Sequence, residues 1–129
     1  TYNTPALATV FLTAKTVGWF NDNGGLSWSA GRSAQSAEIL YGWAEASDAA
    51  SPFVQIEEQR SKVVATIDFD DAIDADVLVE VLRRNGILDT GGYRKLGRNQ
   101  LRIGLFPAIE PSDVEALTHC IDHAIAALS

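Results

Sequence analysis

Apolar residues recur every three to four positions at the start of the chain. Leu7, Val10, Phe11, Ala14 and Val17 share that spacing, which predicts a helix with one apolar face. Thr4 followed by Pro5 reads as its beginning. A capping hydroxyl comes first, then a proline at the first helical position, where its missing N–H costs nothing. The run NDNGG at 21–25 ends the helix with residues tolerant of positive φ. A second helix is predicted from about Ser27 to Ala46, with Ala30, Ala34, Ala37, Leu40, Tyr41 and Ala44 as its buried stripe. The run SDAASP breaks it, and the Pro52 ring stops any continuation.

The period then falls to two. In KVVATIDF, Val63, Ala65, Ile67 and Phe69 alternate with Val64, Thr66 and Asp68, the signature of a strand. Asp74 caps a helix that carries Val77, Leu78, Val81 and Leu82 and closes on RRNG, with cations at its carboxyl end. A short extended piece, ILDT, follows. NQLRIGLF then places Leu101, Ile103 and Leu105 on one face of a strand and Arg102 and Gly104 on the other. Pro107 and Pro111 punctuate, and Ser112 with Glu115 has the spacing of a capping box. Val114, Leu117, Ile121, Ile125 and Leu128 line a last helix.

The order is α-α, then β-α-β-β-α. This is an α/β (α+β) chain in which two long helices precede a small domain, a short mixed sheet covered by helices on one side. The division is expected near residue 50, with 1–50 helical and 51–129 forming the small domain. The first two helices carry more apolar surface than that layer needs.

At 129 residues and 47% hydrophobic, the chain can bury one ordinary core. Its net charge of −7 argues against nucleic acid or an anionic membrane surface, both of which need a broad positive field. One cysteine, Cys120, makes no internal bridge and provides no metal template; a reducing, cytoplasmic setting is the simplest reading. No apolar run reaches the length of a membrane span. The chain opens on Thr1 and enters a helix almost at once, which reads as a piece cut from a longer polypeptide.

Against this acidic background, Arg94, Lys95, Arg98 and Arg102 lie within nine residues, with no acid between Asp89 and Glu110. Like charges packed this densely repel unless something anionic sits among them. They are either a solvated loop edge or a holder of anions. Because the cluster is local, its partner is small.

TYNTPALAT opening a helix, NGGL after it, and RNGILDTGGYRKLGRNQLRIGLFPAIEPSDVEAL near the end together resemble the C-terminal third of the phosphoserine aminotransferases. These are class V aminotransferases with the fold of aspartate aminotransferase. The resemblance covers essentially the whole chain, and its specificity lies in the order and spacing of several pieces. It implies pyridoxal 5′-phosphate as cofactor of the full-length enzyme, a homodimer, and transfer of an amino group between glutamate and 3-phosphohydroxypyruvate, giving phosphoserine for serine biosynthesis. It places the Schiff-base lysine upstream, since Lys15, Lys62 and Lys95 do not fit it, so the isolated piece is expected to be inactive. Residues 1–50 would then close the large cofactor domain.

The resemblance also implies roles for particular residues. Asn3 and Thr4 would reach across the dimer to the cofactor phosphate of the other subunit. The alternative is that Thr4 merely caps the helix and Asn3 satisfies a turn. Arg102 would grip the substrate α-carboxylate through two parallel hydrogen bonds, which a planar guanidinium can make; the alternative is an exposed arginine paired with a surface acid. The family's His-Arg pair for the substrate phosphate is absent. Some of Arg94, Lys95 and Arg98 stand in its place, or form a solvated basic loop.

His119 and His123 are four apart on the last helix without a third metal ligand, and no metal is assigned. Trp19, Trp28 and Trp43 are read as packing groups. The sequence leaves two rival functions. One is another class V aminotransferase, such as the alanine–glyoxylate type. The other is a free-standing module that binds a small anionic metabolite. The isolated chain is expected to self-associate through its surplus apolar surface.

Overall fold

The computed structural model describes residues 4–93 and 95–128. Asn3 and Arg94, both candidate site residues, lie outside the described residues. Two compact units divide the chain between Gly31 and Arg32.

The first unit contains α1 (Leu7–Asp22) and the opening turns of α2 (Gly25–Ala46). The expected start of α1 shifts. Its cap position is Ala6, without a side-chain cap bond, and the Leu7 N–H donates to the Pro5 carbonyl at 2.9 Å. That tight turn uses the N–H a Thr4 cap would have served, so Thr4 is not the helix cap. Gly24 and Gly25 have φ of 112° and 68°, as the turn between helices requires, and a Cβ on Gly24 would meet the Trp28 Cβ at 3.1 Å. Trp19, Phe20 and Trp28 form a small aromatic cluster, the two indoles edge to face at 5.2 Å. No residue of α1 is buried; Leu7, Val10, Phe11, Leu12 and Val17 are all exposed.

The second unit is built on a three-stranded sheet, β1 (Ala50–Pro52), β2 (Val64–Phe69) and β3 (Gln100–Gly104), in the order β1-β2-β3. Both pairings are antiparallel, so the expected mixed sheet is corrected. SDAASP was expected only as a breaker, yet its end forms β1. Proline is tolerated there because the strand lies at an edge of the sheet. ILDT contributes no strand; the following Gly91 makes a single bridge to Leu101, and the Thr90 carbonyl accepts the Arg102 N–H at 2.8 Å.

Alternation decides the two faces of the sheet. Ala65, Ile67 and Phe69 on β2, with Leu101 and Ile103 on β3, are buried in one apolar cluster. Against them pack α3 (Ala75–Arg84) through Leu78 and Leu82, and α4 (Pro111–Leu128) through Val114 and Ile121. Ala37, Leu40, Tyr41 and Ala44 of α2 join the same cluster. The expected stripe on α2 is right at these four positions. Ala30, however, is exposed, while Ser29, Ser33 and Ser36 are buried. Ser33 explains the exchange: its hydroxyl donates to the Leu105 carbonyl at 2.8 Å and satisfies a buried acceptor that alanine could not.

Asp74 caps α3 as expected, its Oδ1 accepting from the Asp76 and Val77 N–H groups. Ser112 makes no capping box. Glu110 supplies the carbonyl that accepts from the Asp113 and Val114 N–H groups, and Pro111 takes the first helical position. Trp43 Nε1 donates to Asp122 Oδ1 at 2.9 Å and ties α2 to α4.

Candidate functional site

The register of β2 and β3 pairs Val64 with Gly104, Thr66 with Arg102 and Asp68 with Gln100 on the face away from the apolar cluster. Arg102 therefore points outward, as the alternation of the sequence requires, and its side chain is exposed. The other five described arginines all form ion pairs: Arg32 with Glu110, Arg60 with Glu45, Arg83 with Asp89, Arg84 with Glu80, and Arg98 with Asp68. Among the described residues, Arg102 alone of the arginines has no acid within ion-pair distance.

Beside it opens a cleft of about 1360 Å³, lined by Lys95, Arg98 and Arg102 together with Asn99, Gln100 and Gly92. Three of the four clustered cations are thus brought to one place. The same cleft is also lined by Asp71, Asp74, Asp76 and Asp89. The stretch without acids in the sequence is therefore not without acids in space. Asp89 holds Arg83 at 2.9 Å, and it takes φ of 60°, an uncommon conformation for a residue with a side chain.

Arg98 is already engaged. Its guanidinium hydrogen-bonds both carboxylate oxygens of Asp68 and lies over the Phe53 ring, 4.8 Å from the centroid. The hydrogen bond and the charge of Asp68 raise the Arg98 pKa further above an already high value. Lys95 makes no such pair among the described residues, so of the described cations in this cleft Lys95 and Arg102 are the ones without an acid partner.

Three residues that sequence reasoning left without a role organise this wall. Asp68 receives Gln100 Nε2 at 2.8 Å in addition to Arg98. Asn99 donates to the Phe69, Asp70 and Ile73 carbonyls and accepts the Ala75 N–H at 2.9 Å. It thereby joins the end of β2 to the start of α3. Gln100 is only 3% exposed, and its Oε1 has no partner. The one local signal was a pair of amides in a row, Asn99-Gln100, directly before a strand.

Thr4 belongs to the first unit. It is exposed, and its hydroxyl serves no helix cap, which leaves it able to donate to an external anion. His119 and His123 lie exposed on α4, and no group of three or more His, Cys, Asp or Glu among the described residues could hold a metal. Cys120 is exposed. No described helix is long and apolar enough to cross a membrane.

No protein-family model matches the chain. It is 57% identical over 128 residues to the phosphoserine aminotransferase of Rhodococcus jostii, a match covering 99% of this chain and 34% of that protein. Against the phosphoserine aminotransferase of Corynebacterium glutamicum it is 59% identical over 122 residues, or 95% of this chain and 32% of that one. The solved phosphoserine aminotransferase from Bacillus circulans subsp. alkalophilus superposes with a TM-score of 0.88 at 21% identity, over 99% of this chain and 35% of its own, and so shares the fold. The chain spans about a third of the length of the curated relatives it matches. Over essentially its whole length, therefore, the chain is similar to phosphoserine aminotransferases, and it corresponds to about one third of their length.

Proposed function

We propose that these residues are the C-terminal third of a phosphoserine aminotransferase and form one wall of its substrate site. The whole enzyme would move an amino group between glutamate and 3-phosphohydroxypyruvate in the cytoplasm, as a homodimer. One observation carries the reading. Arg102 projects unpaired into a cleft beside Lys95, while every other described arginine is already neutralised by an acid.

Each side chain then has a physical task. Arg102 offers parallel N–H donors that match a carboxylate, holding the substrate in one orientation. Lys95 is a compact charge able to meet a phosphate. The mutual repulsion of these cations is offset when a ligand bearing both anions binds. Residues 1–50 would close the cofactor domain, and the small domain after them would approach the substrate as a body.

Pyridoxal 5′-phosphate, when bound to the full enzyme, supplies the carbonyl that accepts and returns the amino group. The exposed Thr4 hydroxyl, ahead of the amino end of α1, fits a contact to its phosphate. Lys15, Lys62 and Lys95 are not assigned to the cofactor carbonyl, so the chain alone would be inactive.

The test compares phosphoserine with unphosphorylated serine and with alanine as amino donors for the full-length enzyme. Strong preference for phosphoserine is expected. Equal use of serine would remove the phosphate role and favour an aminotransferase of the alanine–glyoxylate type.

A further inference from the structure

The basic segment that carries Lys95 is fastened to the body of the domain at both ends. At its start, Gly92 lies so close to Gln100 that a Cβ there would meet the Gln100 carbonyl oxygen at 2.9 Å and its Cγ at 3.0 Å. At its end, Arg98 grips Asp68 and stacks on Phe53, and Asn99 follows with its bonds to β2 and α3. Between these points the chain turns, with the Leu96 N–H donating to the Tyr93 carbonyl at 2.8 Å and Gly97 at φ of 63°. Asp68 is the common anchor. Its carboxylate accepts from Arg98 and from Gln100 Nε2, and its side chain is only 18% exposed.

This arrangement bears on what Arg98 can do. Its charge is met by Asp68, and its flat face is covered on one side by Phe53. Its remaining N–H groups could only offer a ligand phosphate a guanidinium whose charge Asp68 already neutralises, a weaker partner than an unpaired cation. Lys95, three residues earlier, has no such commitment among the described residues. We propose that Asp68 and Arg98 are a positioning pair: they hold residues 95–98 against the cleft so that Lys95 meets the phosphate, and Arg98 does not itself bind the ligand. The proposal rests on the cleft being the substrate site inferred above.

Asp68→Asn separates the two possible roles of Arg98, because it frees the guanidinium while loosening the segment. In the full-length enzyme, positioning predicts that Asp68→Asn and Arg98→Met each raise KM for O-phospho-L-serine by about tenfold, with kcat within about twofold. The double variant is expected to be no worse than about twofold beyond either single one, since both break the same contact. The dissociation constant for inorganic phosphate, measured by calorimetry, rises in parallel. Amide hydrogen exchange at residues 95–97 quickens in Asp68→Asn.

If Asp68→Asn leaves KM unchanged or lowers it while Arg98→Met raises it, Arg98 is itself the phosphate ligand and the proposal is overturned. Where Arg98→Met folds poorly, Arg98→Lys takes its place. It keeps the charge but loses the forked contact and the stacking, so its KM is expected to rise; an unchanged KM again overturns the pair. Neutral effects of both Lys95→Ala and Arg102→Ala would instead remove the cleft as the substrate site, and the pair with it.

Discussion

Thr66 on β2 and Arg102 on β3 stand directly opposite one another across the antiparallel ladder, on the face turned from the core. The short hydroxyl side chain offers the guanidinium no ion pair, and no described acid lies within ion-pair distance of it. Arg102 is consequently held at its base by strand pairing and free at its tip, a suitable arrangement for capturing a carboxylate. In the full-length enzyme, Arg102→Ala is expected to cost about 2–4 kcal/mol of transition-state stabilisation, read as kcat/KM for both glutamate and phosphoserine. Arg102→Lys should recover only part, because a point charge cannot make the parallel pair. Thermal stability should hardly change in either variant, since the side chain is exposed. Unaltered kinetics with both substrates would refute the carboxylate role.

Asp74 satisfies two N–H groups at the start of α3, at 2.9 and 3.2 Å. Asp74→Ala is therefore expected to destabilise the fold by about 1 kcal/mol, and Asp74→Asn by much less. Urea denaturation of the chain, compared at equal slope, checks this.

Burial raises the pKa of Tyr41 above the ordinary value near 10, and the neighbouring Arg60 opposes this in smaller measure. The phenol is an acid whose folded-state pKa exceeds its unfolded one. Its contribution is thus fully present below about pH 10 and is lost as pH rises through the folded-state value. Stability should fall more steeply above pH 10 in the parent chain than in Tyr41→Phe. That variant also starts about 1 kcal/mol lower, having lost the 3.0 Å hydrogen bond to the Ser61 carbonyl. Denaturation midpoints measured across the alkaline range distinguish these slopes; identical slopes would rule the effect out.

The exposed apolar residues of α1 should drive self-association of the isolated chain. Light scattering over a concentration series is expected to show a rising mean mass. Phe11→Glu, on the face shared with Leu7 and Val10, should lower it without changing the helical circular dichroism. A monomer at all concentrations would show that the exposed face does not recruit a second copy.

The periodicities of the chain were enough to place the four described α-helices, two of the three described strands and the direction of Arg102. Each of those follows from local rules: a repeat of about 3.6 or 2, an Asp at a cap, a strand whose odd and even residues part company. The similarity to phosphoserine aminotransferases was legible for a related reason, since spacing along the chain preserves the order of a site's parts even when the parts are far apart in space. Local signals misled where a segment had a second use. SDAASP looked like punctuation and became an edge strand because β2 offered it a partner; Thr4 looked like a cap, but a turn at Pro5 had already taken the N–H of Leu7.

What the sequence could not reveal is which charges meet. Arg98 sits in a window without acids, and the acid that neutralises it lies thirty residues earlier, at the end of a different strand. Register decides that encounter: pairing Asp68 with Gln100 across the sheet brings the carboxylate to the base of the basic segment. Composition counted four clustered cations as equivalent. Tertiary structure separates them, because an ion pair depends on distance through space and the sequence records only distance along the chain.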